Sequence, residues 1–199
     1  MLVLSVFLAA CGEDKNETEP ATPGDKEEPA AGDEAKDEEQ VLNLIMGAEI
    51  PSMDSALAAD SVGFDLLNKV AEGLYRLNQE NVAVPAIADG EPTISEDGLV
   101  YTFKLRDAKW SNGDAVTAGD FEFAWKRAMN PDTASEYGPY MMGGVIKNAT
   151  AISEGTVDFT ELGVKAIDDK TLEVTLEKQV PYFLSLMSFG TFLPQSEAF

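Results

Sequence analysis

The feature that most constrains the fold is a strand, a turn and a helix that follow one another between Tyr101 and Pro131. Tyr101, Phe103 and Leu105 alternate with polar residues, which is the period of a strand with one buried face. Residues 111–114, Ser-Asn-Gly-Asp, favour a turn because Asn and Gly tolerate a positive φ and Asp and Ser bond nearby main-chain groups. A chain built around this segment must bury a strand face against a helix face, so we predict an α/β fold.

The helix of this segment is predicted to begin at Thr117 and to end before Pro131. The acidic Asp120 suits the positive end of a helix, and proline cannot continue one. The apolar residues between these limits recur at helical spacing: Phe121, Ala124, Trp125, Ala128 and Met129. We therefore assign Trp125 to the core and expect Trp110, which precedes the turn, to be more open.

Two further elements are predicted before this segment. Val41–Met46 is an apolar run that favours a strand. Asp60 or Ser61 can cap a helix, which we expect to end at Gly73.

Two more elements are predicted after it. The alternating segments 164–167 and 172–176 flank Asp168-Asp169-Lys170 and predict a hairpin. Pro181 precedes a short apolar helix predicted over residues 182–189.

The ionisable residues exclude several classes of function. The chain has 36 acidic and 14 basic residues, no histidine and one cysteine. Without histidine it cannot build a Ser-His-Asp or Cys-His nucleophile or a His-based metal site, and one cysteine forms no internal disulfide. A net charge of −22 disfavours nucleic acid, which requires a basic surface. We therefore predict no catalysis, no metal, no cofactor and no nucleic-acid partner.

The amino terminus is predicted to be an export signal and an anchor. Residues 1–10 are too short to span a hydrocarbon core, which takes about 20 helical residues, and are typical of a signal peptide. Leu8-Ala9-Ala10-Cys11 resembles the lipobox of bacterial lipoproteins, which makes Cys11 the predicted lipid attachment site. An ordinary secretory signal with an incidental cysteine is the alternative. Residues 11–40 hold twelve acidic residues and three lysines, so we predict a disordered tether.

Several short motifs occur in one order over residues 41–194. They are Pro51-Ser52-Met53-Asp54, Glu72-Gly73-Leu74, the block from Tyr101 to Pro131, Asn130-Pro131-Asp132-Thr133-Ala134-Ser135, Leu162-Gly163-Val164-Lys165-Ala166, Thr171-Leu172-Glu173-Val174-Thr175-Leu176 and Val180-Pro181-Tyr182-Phe183. In this order they resemble the extracellular solute-binding proteins of family 5, a group that includes the oligopeptide-binding lipoproteins of peptide ABC transporters. Because members of that family are much longer, we expect the amino-terminal portion of such a protein, as a fragment or as a truncated gene product.

The resemblance implies a periplasmic-binding-protein-like fold (type II, cluster C), present only in part. In that family two α/β lobes close over the ligand and a further middle lobe is added. We expect residues 41–71 to begin the first lobe, residues 72–194 to form the middle lobe, and residues 195–199 to return to the first lobe. We also expect a monomer.

The resemblance also implies where a ligand would bind. Family members hold an extended peptide in a cleft mainly by main-chain hydrogen bonds. The residues that match the peptide-pairing stretch are Ala58, Ala59, Asp60, Ser61 and Val62, and Tyr137 matches a cleft-facing tyrosine. Each side-chain role has a second interpretation, since Asp60 can be a helix N-cap and Tyr137 can be ordinary packing.

The function implied by the resemblance is that of a lipid-anchored receptor on the extracytoplasmic face of the bacterial cell membrane. Such a receptor captures oligopeptides and delivers them to the permease subunits of an ATP-binding cassette importer. The alternatives are the same fold binding a signalling peptide, a dipeptide, a sugar or a nickel chelate, a surface hydrolase, or an adhesive surface protein. A hydrolase would need a nucleophile with a base, or a carboxylate pair at a defined separation, and with 36 acidic residues an accidental pair is uninformative.

Overall fold

The computed structural model of the chain describes residue 41 and residues 43–198. The described residues from Leu44 onward form one compact unit. The predicted signal peptide, the tether and Cys11 lie outside the described residues.

The described part of the chain contains five α-helices and six strands. The α-helices are α1 Ser61–Val70, α2 Ala118–Met129, α3 Tyr137–Met142, α4 Ala149–Ser153 and α5 Phe183–Leu186. The strands are β1 Tyr75–Leu77, β2 Ala83–Pro85, β3 Thr93–Ile94, β4 Val100–Lys104, β5 Val164–Asp168 and β6 Thr171–Thr175. Strands β1 and β2 form a hairpin, and the other four form an antiparallel sheet in the order β3-β4-β6-β5.

The predicted strand, turn and helix are confirmed. In β4 the side chain of Phe103 lies on the buried face, opposite Leu172 of β6. Thr117 is the N-cap of α2, and its main-chain N–H donates to the Asp120 carboxylate at 2.8 Å. Asn130 ends the helix immediately before Pro131.

The core lies between α2 and the four-stranded sheet. The indole of Trp125 is fully buried, as predicted, and its Nε1–H donates to the carbonyl of Phe192 at 3.0 Å. The two rings meet edge to face with centroids 5.2 Å apart. On the same helix, Glu122 accepts a hydrogen bond from the main-chain N–H of Ala166 in β5 at 2.7 Å. The helix is thus joined to the edge of the sheet and to the segment around Phe192.

The predicted hairpin is also confirmed. Strands β5 and β6 pair through a turn at residues 169–170, with a register shift between Ala166 and Asp168. The Asp168 carboxylate closes the turn, because it accepts from the Lys170 N–H at 2.8 Å and from the Thr171 hydroxyl at 2.9 Å. The short helix predicted over 182–189 is present as α5, four residues long.

The strand predicted over Val41–Met46 is wrong for its described residues, none of which is in a strand. Leu44 and Ile45 are exposed, Ile45 almost completely. An apolar segment becomes a strand only when a neighbouring strand satisfies its main-chain groups, and no described residue pairs with this one.

The helix predicted to end at Gly73 ends instead at Val70, which is 67% exposed. Beyond it Ala71 is extended, and Leu74 is fully buried outside the helix. The carbonyl of Leu74 accepts from the N–H groups of Ala86 and Ala88 at 2.9 and 3.2 Å. These long-range hydrogen bonds draw the chain away from the helix, although the apolar period continues past Val70.

Candidate functional site

The predicted peptide-pairing segment lies where the loop before α1 enters the helix. Asp60 is the N-cap of α1, and its Oδ1 accepts from the N–H groups of Val62 and Gly63 at 3.0 and 2.9 Å. In the structure Asp60 is therefore a helix N-cap, the second interpretation given for its side chain. Its side chain is used by the helix, so the segment has mainly main-chain groups to offer a ligand.

Ala59 and Asp60 carry free main-chain groups. Asp60 is extended, with φ −130° and ψ 159°, and Ala59 is exposed. Within the described residues, the N–H and the carbonyl of Ala59 and the N–H of Asp60 have no hydrogen-bond partner. Ala58, just before them, is buried, and its N–H donates to the carbonyl of Asp54 at 2.8 Å. This arrangement can accept a second extended chain by backbone pairing.

Tyr137 lies close to this segment, at the first position of α3. Its ring packs edge to face on Phe64 of α1 at 5.2 Å and stacks on Phe189 at 5.4 Å. Phe64 lies one turn from the segment, since its N–H donates to the carbonyl of Asp60 at 3.2 Å. The Tyr137 ring thus has the packing role given as its second interpretation. Its hydroxyl forms no hydrogen bond to any described residue and is available to a ligand.

Concave surfaces of the described part of the chain lie at the two ends of α1. Ser61 and Val62 line a groove of about 390 Å³ together with residues 45–47 and Asp65. A larger cleft of about 850 Å³ lies at the other end of α1 and contains none of the predicted site residues. Four of the five charged groups that line the larger cleft are basic, and two of these, Arg106 and Arg76, contact Glu72. Because the predicted site residues lie outside this cleft, we place the candidate site at Ala58–Val62.

An ion pair supports the loop before this segment. Arg127, in the last turn of α2, donates from Nη1 and Nη2 to the two carboxylate oxygens of Asp54 at 2.8 and 2.6 Å. Gln195 Nε2 donates to the same carboxylate at 2.7 Å, and Gln195 Oε1 accepts from Arg127 at 2.9 Å. The Ala56 N–H adds a fourth donor at 2.9 Å. Local sequence patterns carry no signal for this contact, because Asp54 and Arg127 are 73 residues apart.

The environment of Asp54 favours its charged form. Burial alone would raise the pKa of this carboxyl, but the hydrogen bonds from Arg127, Ala56 and Gln195 and the charge of Arg127 together lower the pKa below its usual value. The hydrogen bond to Asp54 correspondingly raises the pKa of Arg127.

Trp110 and the buried methionines belong to the scaffold. Trp110 is partly buried, and its Nε1–H donates to Asp120 at 3.3 Å near the start of α2. Met129 and Met142 are buried in the core. No group of three or more potential metal ligands converges among the described residues. No helix in the described part of the chain is both long and apolar enough to cross a bilayer.

Comparison with known proteins places this architecture in a family. The model of the bacterial extracellular solute-binding proteins, family 5 Middle, matches residues 82–197. The oligopeptide-binding protein OppA of Bacillus subtilis is 37% identical over 99% of this chain and 34% of its own length. The dipeptide-binding protein DppE of the same organism is 40% identical over 80% of this chain and 29% of its own. Among solved structures, Listeria monocytogenes OppA bound to peptide superposes with a TM-score of 0.73 and 49% identity, over 76% of this chain and 30% of that one.

These matches define the class of protein as an α/β solute-binding protein with a periplasmic-binding-protein-like fold, present in part, as predicted. The chain belongs to the bacterial extracellular solute-binding proteins, family 5. It spans about a third of the length of the curated relatives it matches.

The Asp54–Arg127 pair predicts a pH-dependent stability. Replacing Asp54 with Asn in the complete gene product should lower the free energy of unfolding near neutral pH by about 2 kcal/mol, because Arg127 loses a charged, two-point partner. The pKa of Asp54 is lower in the folded than in the unfolded protein, so the wild-type advantage is present above about pH 4 and is lost as the pH falls through the folded value. Urea titrations should show the difference between the two proteins shrinking below that pH.

The matched control is Asp65→Asn, which removes an exposed partner of Lys69 within one helix. It should cost about 0.5 kcal/mol or less at every pH. A difference between wild type and Asp54→Asn that does not change from neutral to acidic pH would contradict the assignment.

Proposed function

We propose that the complete protein captures oligopeptides outside the cytoplasm and passes them to the permease subunits of an ATP-binding cassette importer. The observation that carries this proposal is the segment of exposed Ala59 and extended Asp60, in which the two N–H groups and the Ala59 carbonyl are unpaired within the described residues and can pair with a peptide main chain. Backbone pairing does not read side chains, so it suits a receptor that accepts many sequences. Oligopeptide-binding and dipeptide-binding relatives support the same ligand class.

The binding residues in this proposal are Ala58–Val62 and Tyr137. Ala59 and Asp60 add main-chain hydrogen bonds to the peptide, and the Tyr137 hydroxyl supplies one from a side chain. Phe64 keeps the tyrosine next to the segment, because its ring packs on Tyr137 and its main chain belongs to the first turn of α1. The protein itself performs no chemistry and needs no cofactor.

The proposed architecture is a single lipid-anchored receptor molecule. Cys11 carries the lipid, residues 11–40 are the tether, residues 41–71 begin the first lobe, and residues 72–194 form the middle lobe before the chain returns to the first lobe. The Asp54–Arg127 and Gln195–Arg127 contacts join the proposed first-lobe and return segments to the proposed middle lobe. The receptor would then lie on the extracytoplasmic face of the membrane, next to its importer.

Main-chain recognition predicts a particular ligand dependence. Pentapeptides of different sequence should bind the complete gene product with affinities within about tenfold of one another, since side chains contribute little. Methylation of alternate peptide nitrogens should weaken binding by about tenfold or more, because several main-chain donors are lost. Calorimetry measures both effects, and native mass spectrometry should show co-purifying peptides of mixed sequence. A sugar as the co-purifying ligand, or undiminished binding of the methylated peptides, would refute the proposal.

The Tyr137 hydroxyl is predicted to contact the peptide. Tyr137→Phe keeps the ring contacts with Phe64 and Phe189 and removes one hydrogen bond, so affinity should fall by roughly three- to tenfold at unchanged stability. Tyr182→Phe, which alters an exposed tyrosine at the start of α5, is the control and should bind as wild type. Equal affinities for both variants would remove Tyr137 from the site.

The anchor is tested independently of ligand binding. Cys11→Ser should move the protein from the detergent phase to the aqueous phase in cell fractionation, because the lipid attachment point is lost and the tether itself is too acidic to bind anionic lipid. Ser5→Ala, a change in the same signal segment that leaves the cysteine, should remain with the membrane. Unchanged partition of Cys11→Ser would contradict lipid attachment.

A further inference from the structure

We propose that Arg127 is a positioning residue for peptide binding: it acts through Asp54 to fix the main-chain groups of Ala59 and Asp60 for pairing. This inference rests on the proposed function and adds a residue that contacts no ligand itself. It is argued from the chain of hydrogen bonds that leads from α2 to the segment.

The first link is the loop that Asp54 organises. The carbonyl of Asp54 accepts from the N–H groups of Leu57 and Ala58 at 3.0 and 2.8 Å, and its carboxylate accepts from the Ala56 N–H at 2.9 Å. The Asp54 N–H in turn donates to the Ser52 hydroxyl at 3.1 Å. Asp54 therefore determines the path of the main chain up to Ala58, the residue immediately before the free groups.

The second link fixes Asp54 to α2. Both nitrogens at the end of Arg127 contact its carboxylate, and Gln195 bonds to the carboxylate and to Arg127, so three side chains form a closed set. The Gln195 N–H also donates to the carbonyl of Asp120, at the other end of α2, at 3.2 Å. Because α2 packs in the core through Trp125, this set is attached to one of the most buried parts of the described fold.

The third link is the position of the free groups between two fixed points. Ala58 is fixed through Asp54 on one side, and Asp60 is fixed by its cap on Val62 and Gly63 on the other. The cap is internal to α1, whereas the support through Asp54 comes from α2. Removing Arg127 thus releases only the upstream end of the segment and leaves α1 capped.

A positioning role and a general stabilising role can be told apart by which peptides lose affinity when Arg127 is replaced. If Arg127 orders the pairing groups, its loss weakens only those peptides that form hydrogen bonds with them. If Arg127 only stabilises the fold, its loss weakens every peptide to the same extent or none at all. A peptide that is N-methylated at the bond facing Ala59 distinguishes the two roles.

The experiment uses Arg127→Gln in the complete gene product, with Lys126→Gln as the control. Lys126 is adjacent on α2 and carries the same charge, but it pairs with Glu122 rather than Asp54. Amide exchange in the peptide-free protein should become faster by about tenfold or more at Leu57 and Ala58 in Arg127→Gln and should stay unchanged in Lys126→Gln. Should Arg127→Gln fail to fold, Arg127→Lys, which keeps the charge and loses the two-point geometry, should show the same changes at smaller size.

Calorimetry completes the test with two peptides, an unmodified pentapeptide and the same peptide N-methylated at the bond that pairs with Ala59, located by scanning methylation along the wild-type ligand. Arg127→Gln should bind the unmodified peptide about fivefold or more weakly and the methylated peptide as wild type does. Unchanged amide exchange, or equal loss for both peptides, overturns the positioning role and leaves the proposed function intact. Failure of the wild-type protein to bind either peptide overturns the proposed function and the positioning role with it.

Discussion

The burial of the Trp125 indole is the interaction on which the described fold depends. Trp125 is the largest fully buried side chain among the described residues, and its N–H donates to the carbonyl of Phe192, 67 positions later in the chain. That contact brings the segment after Phe192 back to α2, so that Gln195 meets Arg127. The same helix presents Arg127 to Asp54. The Trp125–Phe192 contact and the Asp54–Arg127 ion pair therefore both depend on the orientation in which α2 packs.

The contribution of the Asp54–Arg127 ion pair to stability depends on how many hydrogen-bond donors surround the Asp54 carboxylate. An exposed pair such as Lys69–Asp65 contributes little, because water screens it and both side chains lose freedom. Asp54 and Arg127 are both less than a third exposed, so their charges are partly desolvated. The cost of that desolvation is offset because Arg127, Gln195 and Ala56 supply four hydrogen bonds to one carboxylate. The pKa of Asp54 is lowered because these hydrogen bonds and the charge of Arg127 outweigh the effect of burial.

The sequence predicted those parts of the fold whose determinants lie close together along the chain. The helix after Thr117 and the β5–β6 hairpin depend on caps, turns and apolar periods within a few residues, and both were predicted correctly. The predicted strand at 41–46 and the predicted end of α1 at Gly73 are wrong. Strand formation and the path of the chain after a helix both depend on distant main-chain partners, which a local apolar period does not reveal. The site was inferred from a family resemblance, and the structure packs the Tyr137 ring on Phe64, which lies one helical turn from Asp60. The sequence does not predict the support of the site by Arg127 and Gln195. Arg127 is separated from Gln195 by 68 positions and from Asp54 by 73, and no local pattern links residues so far apart.

In the proposed mode of binding, recognition through the main chain makes the order of the segment decisive. Fixing the backbone of one residue costs about 1–2 kcal/mol, whereas a neutral hydrogen bond contributes about 0.5–1.5 kcal/mol net. If Ala59 and Asp60 had to be ordered by the peptide, the cost would cancel most of the gain, and affinity would then depend on side chains. When the segment is already fixed between Asp54 and the α1 cap, the same hydrogen bonds contribute in full. In the proposed mode of binding, broad peptide specificity therefore requires a loop that the protein itself holds rigid.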